Sequence, residues 1–270
     1  MVDERSEPSP FQDVGRIFPG DVRPVCVEPS TTVDEALRVM VANRYSQLPV
    51  SSGGEVRGVF SLWSLAHHLI DSPNLAPHDL AVEDVMEHLP SVTVQDSLDL
   101  VLEHLSRHDA VLVSSPHGLQ GVATATDVLG YFYRVARPFV LLQEIELALR
   151  TLIEACVSPE ELNECIQRAL SKKYERDNRA LPSELRSMTF EDYRTIVSAK
   201  DNWGHFDGVL GRSRELVASK LERVRRIRND VFHFRESLSV LDYETLAATR
   251  NWLFDKDYSL RESRLKESPE

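Results

Sequence analysis

Two stretches in the first half of the chain carry apolar residues at helical spacing. They are Val33, Ala36, Leu37 and Met40 and, 65 positions later, Leu98, Val101, Leu102 and Leu105. Each is followed by a strand-like run, a turn signal and a second run: QLPVSSGGEVRGVFS at 47–61 and AVLVSSPHGLQGVAT at 110–124, now 63 positions apart. Gly53-Gly54 and His117-Gly118 predict the hairpin turns. Each copy reads strand, helix, strand, tight turn, strand, helix. One copy of about 55 residues is too short to bury a comfortable core alone, so two copies related by a pseudo-twofold axis are expected to cover one another's sheets.

From residue 139 the pattern turns helical. Residues 139–155 predict an amphipathic helix with Glu146 and Arg150 one turn apart. Ser158-Pro159-Glu160-Glu161 is a capping box with Pro at the first helical position, opening a helix through about residue 171. Residues 181–188 read as a loop, and Thr189-Phe190-Glu191-Asp192 opens a third helix. An Arg-rich helix is expected over 205–232 and a last one over 244–253. Arg137-Pro138 interrupts the helical pattern and marks the domain boundary. The expected organisation is a flexible N-terminus (1–14), an α+β repeat pair (15–137), an all-α bundle of four or five helices (138–256) and a flexible tail (257–270).

Composition refines this. The 270 residues carry a formal charge of −12, with 42% hydrophobic and 27% charged residues, which suits two folded domains. Residues 1–140 hold −10 of that charge and residues 141–270 only −2, so an acidic pI does not by itself exclude nucleic acid. Basic residues cluster at Lys172, Lys173, Arg176 and Arg179, and again from Arg212 to Arg235. Three cysteines without metal-like spacing, a polar acidic N-terminus and no long apolar run predict a reduced, cytoplasmic chain with no membrane span and no metal site.

The repeat resembles a tandem pair of cystathionine-β-synthase-type (CBS) domains, the Bateman module. The closing motif Gly-h-x-Thr/Ser-x-x-Asp is complete in the second copy, Gly121-Val122-Ala123-Thr124-Ala125-Thr126-Asp127. In the first it is Gly58-Val59-Phe60-Ser61-Leu62-Trp63-Ser64, with the carboxylate replaced by Ser64. The resemblance implies an adenine nucleotide (AMP, ADP or ATP) as regulatory ligand, held at Gly121, Thr124 and Asp127, with Thr93 and Ala110, on strands flanking the cleft, offering backbone contacts to the adenine. A carboxylate can accept both hydroxyls of a ribose, and a helix start favours phosphate. The same Thr-x-x-Asp is also a helix-capping pattern.

In the second half Arg228-Asn229-Asp230-Val231-Phe232-His233 is an R-N-x-x-x-H string. It resembles the R-x4-6-H motif of the HEPN superfamily, helical domains that include metal-independent endoribonucleases, and residues 146–153 resemble that family's opening helix. The resemblance implies RNA as substrate, a homodimer with a composite site, and Arg228, Asn229 and His233 as catalytic residues. Attack by a 2′-OH needs a proton acceptor, which a histidine can be, and a partner for the phosphorane charge, which an arginine fork can be. The leading expectation is a nucleotide-regulated endoribonuclease with no catalytic cofactor. The alternative is a non-catalytic regulatory protein whose helical half serves dimerisation or partner binding.

Overall fold

A computed structural model describes residues 13–17, 24–71, 76–235 and 238–267. The chain divides into two compact units, Met1–Tyr133 and Arg134–Glu270.

In the first unit the repeat is visible element by element. The first copy runs α1 (Val33–Asn43), β1 (Gln47–Ser52), β2 (Glu55–Ser61) and α2 (Leu62–Asp71). After the short helix α3 (Val82–Val85), the second copy runs β3 (Ser91–Thr93), α4 (Leu98–Leu105), β4 (Ala110–Ser115), β5 (Gly118–Thr124) and the start of α5 (Ala125–Cys156). The opening strand of the first copy is reduced to one parallel bridge, Val27 to Val50. Both hairpins carry a register shift at the same repeat position, at Val50/Ser51 and at Val113/Ser114, each beside the Gly of the closing motif, Gly58 or Gly121. The first turn is Gly53-Gly54, both at positive φ, as expected. The second is Pro116-His117, one residue earlier than the sequence suggests, because Gly118 already pairs with Ser115.

Each copy's core is completed by a segment from outside it. Leu80, Val82 and Val85 join the first copy's core, with Val33 N–H bonded to the Leu80 carbonyl. Val14 and Ile17 join the second copy's core, with Val14 N–H bonded to the Asp96 carbonyl. In this segment the acidic Asp79, Glu83, Asp84 and Asp99 face solvent while Leu80, Val82 and Val85 turn inward. Apolar residues three apart, Val82/Val85 and Val14/Ile17, plug the two sheets. Val14 is fully buried, so order begins within the expected flexible terminus; residues 1–12 of that expectation lie outside the described residues.

The second unit is helical: the remainder of α5, α6 (Pro159–Arg176), α7 (Phe190–Ser198), α8 (Asp207–Leu210), α9 (Arg214–Phe232) and α10 (Val240–Glu267). Ile145, Leu149, Leu152, Ile166, Leu170, Tyr193, Ile196, Leu221 and Val224 form its buried core. Three expectations are corrected. Gly211 at φ 109 and the Ser213 N-cap divide the expected 205–232 helix, so α9 begins at Arg214. The last helix is longer than 244–253 and carries the expected flexible tail as helix to Glu267. Arg137-Pro138 does not interrupt the helix: α5 passes through Pro138. Proline deprives the carbonyl four residues back of its helical donor. Here that carbonyl, Arg134, receives a long hydrogen bond of 3.4 Å from the Tyr243 hydroxyl, and Arg137 lies over the same ring at 5.0 Å.

Candidate functional site

The closing motif of the second copy stands at the junction of β5 and α5. Thr124 Oγ1 accepts from Asp127 N–H at 3.4 Å, while Asp127 Oδ2 accepts from Thr124 N–H at 2.9 Å and from its hydroxyl at 2.6 Å. This is a capping box, so the helix-start reading of Thr-x-x-Asp is realised. It also leaves Asp127 Oδ1 without a hydrogen bond among the described residues. Thr124, Asp127 and Gly121 line a cleft of about 540 Å³, within the usual range for small-molecule sites. Ile17, Val25, Tyr45, Pro49 and Val122 give it apolar walls, and Arg44 supplies a guanidinium at the edge. A flat apolar ligand bearing a diol and a modest negative charge fits these groups. A neighbouring groove of about 430 Å³ shares Gln47 and Thr124 and adds Ser61, Trp63 and Asp109. Trp63 is 60% exposed in the chain.

Two expected contacts do not reach the cleft. Ala110 is fully buried, paired with Thr124 across β4 and β5. Thr93 spends its amide and hydroxyl on Asp96. Tyr45, Gln47 and Arg44 line the cleft; they follow α1, where nothing in the motif marks them.

The first copy is arranged differently. Ser61 and Ser64 cap one another: Ser64 N–H donates to Ser61 Oγ at 2.9 Å, Ser61 N–H to Ser64 Oγ at 3.0 Å, and the Ser64 hydroxyl to the Ser61 carbonyl. The Ser61 hydroxyl in turn donates to Glu87 Oε1 at 2.5 Å. Glu87 is anchored by paired backbone bonds with Val59, and its carbonyl would stand 2.8 Å from a Cβ built on Gly58. The chain's own carboxylate therefore takes up the Ser61 hydroxyl.

In the helical unit Arg228 projects from the last turn of α9 into a pocket of about 320 Å³. Its guanidinium lies 4.7 Å over the Phe232 ring, which meets Phe139 edge-on at 5.5 Å. Glu146 and Arg150 of α5 line the same pocket and pair at 3.4 Å. The Nε atoms of both Arg150 and Arg228 are buried without a hydrogen-bond partner among the described residues. Two arginines and one carboxylate thus line the same pocket, and the guanidinium groups are the ones suited to an anion there. The sequence marks Glu146 and Arg150 only as a helical ion pair. Asn229 is half-buried on α9, outside the lining of this pocket. His233 is the C-cap of α9, exposed and also outside that lining, its N–H bonded to the Asn229 carbonyl. Within one chain Arg228 and His233 are thus not brought into one cleft.

The arginines upstream are largely spoken for. Glu222 accepts from Arg225 at 2.7 and 2.8 Å and from Arg226 at 3.1 Å, with Arg194 at 3.6 Å. Hydrogen bonding from Arg225 foremost, against a partial burial penalty, holds the Glu222 carboxyl at about 2. Among the described residues no group of His, Cys, Asp and Glu could hold a metal ion, and no helix is long and apolar enough to cross a membrane.

Residues 20–71 match the family described as CBS domain, and this segment is a CBS domain. Similar solved structures include an uncharacterized conserved protein from Pyrococcus horikoshii, 26% identical over 45% of this chain and 93% of the other, with a TM-score of 0.40. A CBS domain-containing protein from Bacillus anthracis is 22% identical over 45% of this chain and 94% of its own, also at 0.40. A conserved CBS domain protein from Thermoplasma acidophilum is 26% identical over 44% and 68%, again at 0.40. No curated protein matches. A CBS domain in a mixed α+β unit, followed by a largely helical region, indicates a nucleotide-binding regulatory role.

Proposed function

We propose that the chain is an adenine-nucleotide-regulated, metal-independent endoribonuclease acting as a homodimer: a tandem CBS pair senses the nucleotide, and a HEPN-type helical domain cuts RNA. The cleft at Thr124 and Asp127 supports the sensor, with Asp127 Oδ1 open to a ribose diol. The carrying observation for the output is the pocket that joins Arg228 to Arg150, because unspent guanidinium donors in a partly desolvated site suit a phosphate that gains charge. In the reaction the 2′-oxygen bonds to phosphorus as the bond to the 5′-oxygen breaks. One histidine takes the 2′ proton and another returns a proton to the leaving oxygen, giving a 2′,3′-cyclic phosphate and a 5′-hydroxyl. On this reading His233, exposed at the helix end, serves a phosphate bound by a second copy. The stacking of Arg228 on Phe232 favours the second reading, in which this end of α9 is a non-catalytic surface for dimerisation or a partner.

The test is incubation of the full chain with end-labelled RNA in EDTA, with and without AMP, ADP and ATP. Expected are cyclic-phosphate ends, a rate that changes with nucleotide, and a loss of about 10²–10⁴-fold in His233→Ala. Absence of cleavage under every condition, or equal cleavage by His233→Ala, overturns the catalytic claim. Asp127→Ala binding nucleotide as the wild type does overturns the sensor site.

A further inference from the structure

Helix α9 ends in a Schellman motif with an unusual residue at its hinge. His233 is the C-cap. Arg235 N–H bonds to the Asp230 carbonyl at 3.1 Å, and Phe234 N–H to the Val231 carbonyl at 3.3 Å. The residue after the cap must then be left-handed, and Phe234 has φ 51. Glycine fills such positions freely and asparagine tolerates them, as Asn178 does at φ 50. A phenylalanine there is disfavoured on steric grounds. The apolar contact that commonly repays the motif, between the residues flanking the hinge, is missing, because those residues are Asp230 and Arg235. The Phe234 ring gains no burial either, being 80% exposed. Both the backbone and the solvent therefore oppose this residue, and local folding does not account for it. Disfavoured conformations of this kind concentrate where a surface does work.

The neighbours say what kind of work. Phe232, 47% exposed, is held by Arg228 on its face and Phe139 at its edge. His233 follows, also exposed. Three consecutive exposed rings thus crown the end of the helix that supplies Arg228 to the pocket. A ring on a left-handed hinge two residues beyond Phe232, which lines the Arg228 pocket, suits stacking on an unpaired base, which every base accepts through its π-face.

We propose that Phe234 is a base-stacking residue that positions single-stranded RNA next to the Arg228 pocket, an inference that rests on the ribonuclease reading. The probe is a fluorescein-labelled 2′-O-methyl RNA of mixed sequence, which lacks the nucleophile, titrated by anisotropy against the full chain. Phe234→Gly should weaken binding about 5- to 100-fold. It should also raise the melting temperature by about 2–4 °C, because glycine relieves the hinge. Phe234→Ala should lose the same affinity without that gain in melting temperature, and Phe234→Trp should retain binding. A variant damaged in folding moves affinity and melting temperature down together, so the opposite signs in Phe234→Gly are diagnostic. Equal RNA binding by wild type and Phe234→Gly overturns the stacking role and leaves the ribonuclease reading standing. Failure of the wild type to bind RNA overturns both. Loss of self-association in Phe234→Gly, with RNA affinity unchanged, makes the ring a protein contact and also overturns the proposal.

Discussion

Asp192 offers the sharpest test of what holds the helical unit together. It sits at the third position of α7, fully buried. Its Oδ2 accepts from Thr189 N–H at 2.9 Å, the Thr189 hydroxyl at 2.8 Å and the Tyr174 hydroxyl at 3.0 Å, while Oδ1 accepts from Lys173 Nζ at 2.7 Å. One carboxylate thus caps α7 and ties it to α6. Replacing it with alanine removes a helix cap, worth about 1 kcal/mol. It also strands a buried tyrosine hydroxyl, at about 1–3 kcal/mol. Breaking a buried ion pair costs about 3–5 kcal/mol, but Lys173 can turn to water, its side chain being 34% exposed. These terms share one side chain and do not add, so Asp192→Ala should cost about 3–5 kcal/mol. Asp192→Asn keeps an acceptor for the cap and tyrosine but presents Lys173 with an amide, and should cost about 2 kcal/mol. Burial pushes this carboxyl up, yet hydrogen bonds from Lys173, Thr189 and Tyr174 outweigh it and hold it below its ordinary 3.8. A depressed folded-state value stabilises the fold above the unfolded value and loses that stabilisation as pH falls through the folded one. The gap between wild type and Asp192→Asn should be flat from about pH 5 upward and narrow below about pH 4. Urea unfolding followed by far-UV circular dichroism and by the fluorescence of Trp203 and Trp252 reads this. A cost for Asp192→Ala under about 1 kcal/mol, or a gap unchanged at pH 3, would refute the reasoning.

Three further outcomes are expected. Tyr243→Phe removes the donor to the carbonyl orphaned by Pro138; the bond is long, so the loss should be about 0.5–1 kcal/mol, and no change in the urea midpoint would mean the helix tolerates Pro138 without it. Glu222→Gln should destabilise the helical unit at pH 7; because Glu222 is held at about 2 against an ordinary 4.5, its contribution is full above 4.5 and fades toward 2, so the two proteins should converge at low pH in urea titrations, and parallel curves would contradict the network. Isothermal titration with AMP should give one site per chain, since Ser61 is bonded to Glu87 and Ser64 lacks the carboxylate; two equal sites would refute that.

What was legible in the sequence was local. The capping boxes at Ser158/Glu161 and Thr189/Asp192 lie within four residues, and the chain folds them as the pattern predicts. The repeat was legible because its helices keep one period and its hairpins one spacing. The Pro116-His117 turn was misplaced by one residue because Gly118 signals a turn while pairing as the first residue of β5. Contacts between distant residues were not legible. The Glu87 carboxylate reaches Ser61 across 26 positions, and Lys173 reaches Asp192 across 19. Val82 and Val85 carry no sequence signal as core residues because four residues cannot show a period. Pro138 looked like a breaker because its compensation, Tyr243, lies over a hundred residues on. In the candidate sites the motif residues Thr124, Asp127 and Arg228 were found from sequence. Arg44, Tyr45, Gln47, Glu146 and Arg150 come to these pockets from other elements, and only the folded chain brings them there.

The charge of the chain also reads differently once its pairs are known. The Arg-rich stretch on α9 looks from sequence like a track for a polyanion. In the fold Arg225 and Arg226 are bound to Glu222, Arg194 to Glu191, and Arg214 to Glu215. Acidic residues in this unit therefore anchor arginines, and the near balance of charge there reflects pairing within the fold. Among the described residues the Nε atoms of Arg150, Arg228 and Arg250 are buried without a hydrogen bond, and the first two belong to side chains that line one pocket. Under the proposed function two such groups in a confined site would hold one phosphate by geometry, whereas a line of solvated arginines attracts many without choosing. On the proposed reading RNA is held by a single gripped phosphate and by stacked bases, and its affinity then depends less on salt than a basic track would impose.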